Sequence, residues 1–287
     1  MKNKYFFFGF GQVAKYFLKY LIKKKKKFEF NTTSTLPTKK KIFSGKKYIS
    51  YKLKDYEFDK AMLHEILSSN YILVSIPPKE NKDIVVGNFG NILSLDPTKK
   101  IIYLSATSVY GNHNGKWVTE KSKLKTKTIM GKSRLHAEKF WIKLYKSNNI
   151  NLNILRLSGI YSKENNAVKR LKEGPKLFIK KDKQFFSRIR VEDIASAVEK
   201  VFKKNNIKGE VFNISDDLPA SSEDLVKFAA KLLKIKNLKS ISTKKLNGVL
   251  KDFYKDSKKV SNKKMKKILN IKLKYPTYKK GLIEFGY

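Results

Sequence analysis

A glycine-rich turn near the start of the chain constrains the fold more than any other feature. Gly9-Phe10-Gly11-Gln12-Val13-Ala14 follows the apolar run Tyr5 to Phe8, which predicts a strand, and opens Gln12 to Lys24, which has helical periodicity. In such a unit the first glycine permits a tight turn, the second lets the backbone approach a phosphate, and Ala14 allows close helix–strand packing. The helix N-terminus then faces the anion. The turn therefore predicts a βαβ unit that binds a pyrophosphate.

Short β-branched or aromatic runs alternate with helical patterns over the first 160 residues. The runs that predict further strands are Lys27 to Asn31, Tyr48 to Leu53, Tyr71 to Ile76, Lys100 to Ser105 and Asn151 to Leu157, with helices at Phe58 to Leu67 and Ile129 to Tyr145. This alternation is typical of α/β proteins, in which right-handed crossovers build a parallel sheet. We predict a doubly wound parallel Rossmann sheet.

The pattern changes to shorter elements after residue 158. The predicted elements there are helices at Val191 to Phe202, Glu223 to Leu233 and Lys258 to Leu269 and a strand at Glu210 to Ile214. Ser221, with Asp224 three residues on, is typical of a capping box at a helix start. We predict a Rossmann domain over 1–158, completed by a segment near 186–204, and a smaller C-terminal α/β region over 159–287 that binds substrate or acts as a lid.

Composition excludes several classes of site. The 287 residues contain no cysteine, which excludes disulfides, thiolate nucleophiles and cysteine-ligated zinc, and the three histidines are too scattered to predict a metal site. No apolar run approaches the ~20 residues that a membrane-spanning helix needs. The N-terminal apolar run is broken by Gly9 and Gly11, so we interpret it as a strand and not a signal peptide, and we expect a cytoplasmic protein.

The chain is strongly basic, with 65 Lys+Arg against 24 Asp+Glu and a formal net charge of +41. Five of these basic residues are arginines and 60 are lysines, spread along the whole chain. Nucleic-acid readers favour arginine, so this pattern favours a lysine-biased surface over a functional polyanion-binding one. We expect nucleic acid to be attracted only through nonspecific charge, whereas phosphorylated small molecules are attracted in either case.

Motifs along most of the chain accompany the glycine turn. They are Leu73 to Pro78, Tyr103 to Gly111, Gly131 to Glu138, Leu155 to Tyr161, Ser187 to Ala195, Asn213 to Pro219, Asn262 to Met265 and Tyr275 to Tyr278. With them the chain resembles the extended short-chain dehydrogenases/reductases of the NAD-dependent epimerase/dehydratase type, in particular the nucleoside-diphosphate-sugar epimerase-like branch. The resemblance implies an NAD(P) cofactor and an oxidoreductase, or an epimerase or dehydratase, that acts on a phosphorylated or nucleotide-linked small molecule. A homodimer is compatible with it.

The resemblance also implies a catalytic Ser or Thr, a Tyr and a Lys, and all three positions differ in this chain. They are occupied by Ala106, Met130 and Arg134. Ala106 has no hydroxyl and Met130 cannot transfer a proton, whereas Arg134 can hydrogen-bond a ribose but stays charged. We therefore expect Arg134 at the nicotinamide ribose, and a proton-transfer group from elsewhere if the protein is an enzyme.

Two residues are candidates for that proton transfer. His113 follows the strand end in the loop Gly111 to Gly115, and Tyr110 precedes it. A loop histidine can act as general acid or base near neutral pH. The alternatives are a surface histidine with one hydrogen bond and a packing tyrosine, while we interpret Glu120 nearby as a solvated carboxylate.

The remaining contacts follow from the motifs. We expect the cofactor at Gly9, Phe10, Gly11, Gln12, Val13, Thr32, Thr33, Ser75, Ile76, Pro77, Ser105 and Arg134, and the substrate at Thr107, Ser158, Gly159, Arg188 and Arg190. For the two last arginines, salt bridges with Glu192 or Asp193 are the alternative.

The cofactor preference rests on the end of the second strand. Glu29 lies ~20 residues beyond the glycines, where an acid holds the ribose diol in NAD enzymes. It falls in mid-strand, however, and the strand end, Asn31 to Ser34, has no acid, while Lys39 to Lys41 follow. This favours NADP slightly. Because the catalytic residues are replaced, a catalytically silent dinucleotide-binding sensor is the alternative function.

Overall fold

The computed structural model describes residues 2–286, except for the side chain of Val249. Its strands are β1 (Asn3–Phe8), β2 (Phe28–Ser34), β3 (Lys39–Phe43), β4 (Lys46–Lys54), β5 (Glu57–Phe58), β6 (Tyr71–Val74), β7 (Lys100–Ala106), β8 (Trp117–Val118), β9 (Asn151–Leu157), β10 (Gly159–Tyr161), β11 (Leu177–Lys180), β12 (Arg188–Arg190), β13 (Glu210–Ile214), β14 (Lys239–Ser242) and β15 (Lys259–Val260). Its α-helices are α1 (Gln12–Lys23), α2 (Met62–Ser68), α3 (Ile84–Ser94), α4 (Ile129–Asn148), α5 (Ala167–Glu173), α6 (Val191–Lys203), α7 (Ser222–Leu232), α8 (Gly248–Phe253), α9 (Lys263–Leu269) and α10 (Tyr278–Ile283).

The chain forms two compact units, each built from three segments. The first unit comprises Met1–Ser105, Lys132–Arg156 and Ile194–Phe212, and the second comprises Ala106–Gly131, Leu157–Asp193 and Asn213–Tyr287. The long helix α4 starts in the second unit and continues in the first.

The first unit is built on one large sheet. Its strand order is β13-β9-β7-β6-β1-β2-β4-β3, with β5 beside β4. β1 pairs in parallel with both β2 and β6, and the pairs β2–β4 and β6–β7 are parallel as well. The order runs outward from β1 in both directions, which is the arrangement of a doubly wound sheet. The predicted α/β fold class is confirmed.

β1 is buried on both faces over its last four residues, Tyr5 to Phe8, because their side chains are aromatic. Phe6 and Phe8 belong to a core cluster that includes Trp141 of α4. On the other face, the ring of Tyr5 meets Phe17 of α1 edge-on at 5.6 Å and Phe202 of α6 at 5.9 Å. A strand covered by helices on both sides reads as a continuous apolar run, which is why it was identifiable from sequence.

One edge of the sheet differs from the prediction. β3 lies antiparallel on β4 and had not been expected as a strand. Its sequence, Lys39-Lys40-Lys41-Ile42-Phe43, is poor in strand-forming residues over its first half. Lysines on an edge strand oppose pairing with the strands of other chains. The same lysines lower the strand propensity of this segment, which is why the sequence did not predict β3.

The second unit contains three short parallel pairs, β10–β12, β11–β14 and β15–β8. Its core lies among α5, α7 and α10 and includes Leu171, Leu225 and Tyr278. The capping box predicted for α7 is present, since Ser221 and Asp224 bond each other's backbone N–H groups. The last predicted helix is shorter than expected: α9 begins at Lys263, because residues 259–260 pair with β8.

Candidate functional site

The turn after β1 requires glycine at its first position. Gly9 has a φ of +88°, and a Cβ there would stand 2.9 Å from Ser75 Oγ and 3.1 Å from Ile76 Cγ1. Ser75 Oγ, just beyond β6, donates to Phe8 O at 3.0 Å, and Gly9 N donates to Thr33 Oγ1 at 2.9 Å. A side chain near the end of β2 and one just beyond β6 thus hold the turn.

The start of α1 is suited to an anion. Gly11 precedes the helix, no side chain caps it, and no acidic residue lies in the first turn. A Cβ built on Gly11 would meet no atom within 4 Å, so the space beside this backbone is open. Unpaired N–H groups and the helix dipole favour a phosphate at such a position.

The neighbouring predicted contacts lie around this turn. Val13 is buried in α1, Gln12 and Phe10 are half-buried, and Pro77 is exposed. The Phe10 ring packs against Phe43 and Tyr48, with ring centroids 5.2 and 5.3 Å away.

The end of β2 offers hydroxyl groups and no carboxylate. Thr32 is fully buried beside the end of β1, and its Oγ1 has no hydrogen-bond partner among residues 2–286. Ser34 Oγ accepts a hydrogen bond from Ser50 Oγ at 3.1 Å. Glu29 pairs in register with Lys4 and is bound by Lys2 Nζ at 3.2 Å. It stands four residues before Thr33, about 13 Å away along the strand, so it does not lie beside the turn.

The residues in place of the catalytic Tyr and Lys lie one turn apart on α4. Met130 is 65% exposed in the first turn. Arg134 is half-buried, and its Nη1 donates to Leu104 O of β7 at 3.0 Å. Arg134 therefore stands at the end of β7, where the family resemblance places a ribose-binding cation.

A buried ion pair that the sequence analysis missed lies one turn further along α4. Glu138 and Arg156 of β9 are 1% and 3% exposed, and Arg156 Nη2 donates to Glu138 Oε2 at 2.7 Å while Nε donates to Oε1 at 3.0 Å. Ser105 Oγ donates to the same Oε1 at 2.5 Å. The hydroxyl hydrogen of Ser105 is thus used inside the protein, and only its lone pairs remain for a ligand. The sequence signal for this ion pair was an arginine within an apolar strand, because a buried guanidinium needs a carboxylate partner.

The second unit holds both proton-transfer candidates. Tyr110 is fully buried, and its hydroxyl donates to Asn213 Oδ1 at 2.7 Å. His113 is half-buried, with Nε2 3.2 Å from Lys123 O and its ring 6.4 Å from that of Tyr110. Glu120 is not a free surface carboxylate as expected, because its Oε1 accepts from Asn213 N at 2.8 Å. This geometry makes Tyr110 a packing residue and leaves His113 the more accessible candidate.

The two predicted substrate arginines are held by the protein itself. Arg188 donates to Phe186 O at 3.1 Å and Ala220 O at 3.0 Å. Arg190 forms two hydrogen bonds with Glu192, at 3.0 and 3.1 Å. The salt bridge that was the alternative to substrate binding is therefore present for Arg190. A role of either arginine toward a substrate stays a prediction.

The other predicted substrate contacts are spread over the second unit. Thr107 is half-buried at the start of a 3-10 helix, Thr107–Tyr110. Ser158 is buried, and its Oγ has no partner among the residues described. Gly159 is exposed and pairs in register with Arg188.

The described part of the chain contains neither a metal-binding cluster nor a membrane-spanning helix. No group of three or more histidine or carboxylate side chains there is placed to hold a metal ion. None of its helices combines the length and apolar character needed to cross a membrane.

Comparison with known proteins gives a sequence match and several fold matches. Residues 91–215 match the NAD dependent epimerase/dehydratase family. A functionally unknown conserved protein from Silicibacter pomeroyi superposes with a TM-score of 0.82 at 26% identity, covering 99% of this chain and 98% of the other. The comparison with curated proteins gives no match.

Two enzymes solved with NAD share the fold at lower identity. The dTDP-glucose 4,6-dehydratase of Bacillus anthracis has a TM-score of 0.79 at 19% identity, covering 99% of this chain and 95% of the other. The UDP-glucuronic acid 4-epimerase of Bacillus cereus has a TM-score of 0.76 at 17% identity, covering 97% and 96%. The similarity of fold thus extends over nearly the whole chain.

Proposed function

We propose that the chain is an extended short-chain dehydrogenase/reductase of the NAD-dependent epimerase/dehydratase type, and that it binds NADP(H) in preference to NAD(H) at the Gly9 turn. We propose that it acts as an oxidoreductase, or as an epimerase or dehydratase, on a phosphorylated or nucleotide-linked small molecule. The two enzymes solved with NAD are named for nucleotide-sugar substrates, which supports this class of substrate.

The observation that carries the proposal is the open space beside Gly11. A turn that served only the fold would tolerate a side chain there, whereas a pyrophosphate needs the backbone itself to be reachable. Gly11 leaves that space clear at the N-terminus of a helix without first-turn acids. The unpartnered Thr32 hydroxyl beside the turn adds a polar group that a bound ligand or water can satisfy.

The preference for NADP rests on the end of β2. A carboxylate that accepts both ribose hydroxyls of NAD would repel the 2′-phosphate of NADP, and Glu29 stands at the other end of the strand. Ser34 and Ser50 provide hydroxyl groups at this point. Lys39 of β3 pairs in register with Ser50 of β4, which brings a lysine to the same edge of the sheet.

In this proposal, ribose binding and proton transfer are carried out by residues other than the usual Ser, Tyr and Lys of the family. The nicotinamide, when bound, supplies the hydride chemistry. Arg134 holds the ribose with a fixed positive charge, and neither Ala106 nor Met130 can move a proton. His113 then donates or accepts the proton at its imidazole, and Tyr110 supports the loop through its bond to Asn213.

Titration with NADPH and NADH, followed by nicotinamide fluorescence at moderate salt, tests the proposal. We expect saturable binding that is tighter for NADPH, and loss of binding in Gly11→Asp, since a carboxylate would fill and repel the phosphate position. Gly87→Asp, at an exposed and open glycine of α3 in the same unit, is the matched control and should bind normally. Absence of binding of either cofactor to the wild-type protein would overturn the proposal.

A catalytically silent dinucleotide-binding sensor is the second candidate. It is favoured by the exposed Met130 and by the buried Tyr110 hydroxyl, which is already bound to Asn213. Turnover of any substrate that is lost in His113→Ala, with unchanged NADPH affinity, would exclude the sensor. Tight cofactor binding without turnover across a nucleotide-sugar panel would support it.

A further inference from the structure

The loop that carries His113, residues 111–115 of the second unit, is folded around the backbone of one residue, Ser257. The N–H groups of His113 and Gly115 both donate to Ser257 O, at 3.0 Å each. The N–H of Ser257 in turn donates to Asn112 Oδ1, also at 3.0 Å. These bonds fix the path of the chain on either side of the imidazole.

Ser257 is itself held in place by its side chain. It is 7% exposed, and its Oγ donates to Lys183 O and accepts from Phe185 N, at 3.0 Å each. A serine hydroxyl has one hydrogen and two lone pairs, so both bonds form at the same time. Ser257 therefore links the loop that carries His113 to the segment that precedes β12. None of these residues belongs to the predicted cofactor or substrate contacts.

A second segment, residues 123–126, packs against the same loop. A Cβ on Gly111 would stand 2.6 Å from Lys125 O, and Gly111 has a φ of +68°, so this close approach requires glycine. The imidazole of His113 lies against this segment, with Nε2 3.2 Å from Lys123 O. The ring therefore has a fixed partner in addition to a fixed backbone.

The bond to Lys123 O decides which ring nitrogen of His113 carries the hydrogen. A carbonyl oxygen only accepts, so in the neutral ring the hydrogen is on Nε2 and Nδ1 keeps its lone pair. Nδ1 has no hydrogen-bond partner among residues 2–286, and it is accessible. The neutral imidazole thus has one basic nitrogen, and that nitrogen is available to a ligand.

We propose that Ser257, with the carbonyl of Lys123, positions His113 so that Nδ1 is the atom that exchanges a proton with a substrate hydroxyl. This inference rests on the proposed function, because it specifies the atom and the support for the proton transfer assigned there to His113. When Nδ1 takes the proton, the O–H bond breaks, its electron pair stays on the substrate oxygen, and an Nδ1–H bond forms. The Nε2–H bond to Lys123 O is kept throughout, and a charged donor makes it stronger, so the ring holds its orientation after the transfer.

Long-range nitrogen–proton NMR spectra of the full chain, labelled at histidine, test the assignment without substrate or cofactor. The chain has three histidines, and the exposed His64 and His136 serve as internal references. His113→Gln identifies the signals of His113. We expect neutral His113 to carry its hydrogen on Nε2 alone, whereas the two references interconvert between both forms. A hydrogen on Nδ1, or the same mixture as in the references, would overturn the proposal.

Ser257→Ala tests the positioning role. It removes the bonds to Lys183 O and Phe185 N, and we expect amide exchange at His113 to become roughly tenfold faster and its ring to populate both forms. Ser240→Ala, at an exposed serine of β14 in the same unit, is the matched control and should leave the ring signals of His113 unchanged. Faster exchange with an unchanged ring in Ser257→Ala would mean that the serine supports only the fold, and would overturn its positioning role.

A second variant covers the case in which Ser257→Ala does not fold. Asn112 is exposed, and Asn112→Ala removes the acceptor of Ser257 N without placing anything in the core. It should release the ring of His113 in the same way. A ring signal identical to that of the wild type would contradict the positioning role of Ser257.

NADPH binding, followed by nicotinamide fluorescence, separates this inference from the proposed function. The Gly9 turn lies in the first unit, so neither Ser257→Ala nor Asn112→Ala should change the affinity for NADPH. Normal NADPH binding by a wild-type protein whose His113 populates both forms would overturn this inference alone. A fixed ring in a wild-type protein that binds no cofactor would overturn the proposed function, with the position of the hydrogen still established.

Discussion

The carboxylate of Glu138 and the guanidinium of Arg156 form a two-pronged ion pair, 2.7 Å at its shortest, that joins α4 to β9 inside the first unit. The pair also receives the hydroxyl hydrogen of Ser105, so it fixes the end of β7 as well. Arg134 stands one turn earlier on α4 and bonds Leu104 O of the same strand. The buried ion pair and the ribose-binding candidate thus lie one helical turn apart on α4 and both contact the end of β7.

Removal of this pair should strongly destabilise the first unit. Glu138→Gln removes the carboxylate that Arg156 contacts inside the protein, and we expect a loss of about 3–5 kcal/mol in the free energy of unfolding. Urea unfolding followed by tryptophan fluorescence measures it. Glu173→Gln removes the exposed partner of Lys169 and should change stability by less than about 0.5 kcal/mol. Equal midpoints for the two variants would contradict this prediction.

Two glycines of the first unit should respond to alanine with opposite signs. Gly9→Ala introduces a Cβ 2.9 Å from Ser75 Oγ at a positive φ, and we expect it to cost about 1–3 kcal/mol and to weaken NADPH binding. Gly87→Ala, in the open face of α3, should stabilise by up to about 1 kcal/mol through helix propensity. Chemical unfolding of both variants tests this, and a destabilised Gly87→Ala would contradict it.

Glu199 should make the stability depend on pH in the acid range. Burial alone would raise the pKa of this carboxyl, but ion pairs with Lys203 and Lys24 and a hydrogen bond from Tyr20 outweigh it and hold the pKa below its ordinary value. Because the folded pKa is depressed, the stabilisation is present above the unfolded pKa of about 4.3 and is lost as pH falls through the folded value.

Comparison of Glu199→Gln with the wild type at two pH values tests this sign. The variant should be less stable than the wild type at pH 7, and the difference should shrink at pH 3. Glu29→Gln, which breaks an exposed pair with Lys2, should show little difference at either pH. If the difference in stability between Glu199→Gln and the wild type became larger at pH 3, the depressed pKa of Glu199 would be refuted.

Arg190 should be irreplaceable by lysine in the second unit. Its guanidinium lies between the rings of Tyr275 and Phe285, 3.6 and 4.0 Å from their centres, and donates to Gly281 O at 2.7 Å. Lysine cannot stack or bond bidentately, so Arg190→Lys should cost about 2–3 kcal/mol and speed hydrogen exchange in α10. Arg170→Lys, at an exposed position, is the control and should leave exchange unchanged.

Arg134 should contribute to cofactor binding more than its neighbours on α4. Arg134→Ala removes a cationic hydrogen-bond donor at the end of β7, and we expect roughly a tenfold loss of NADPH affinity. Lys132→Ala, exposed in the same part of the helix, should bind NADPH within about twofold of the wild type. Equal effects of the two variants would mean that only the general positive charge matters.

Elements with strong local patterns were predictable to the residue. β9 and β13 begin and end where expected, because an apolar run bounded by polar residues reports a buried strand. Helix α3 was not predicted, although Asp83 precedes it and accepts from the N–H groups of Val85 and Val86. An aspartate before an apolar run is a weak signal, and only the fold shows that Trp141 Nε1 also bonds it, at 3.1 Å.

The sequence by itself determined the doubly wound sheet and the glycine turn after β1, since strand and helix periodicity and the glycine spacing are local properties of the chain. Only the tertiary structure decided which polar side chains are free for a ligand. Tyr110 and Asn213 are 103 residues apart and Arg190 and Gly281 are 91 apart, yet each pair is hydrogen-bonded. A residue type states what a group can donate or accept, whereas its partner depends on which distant elements the fold brings within about 3 Å.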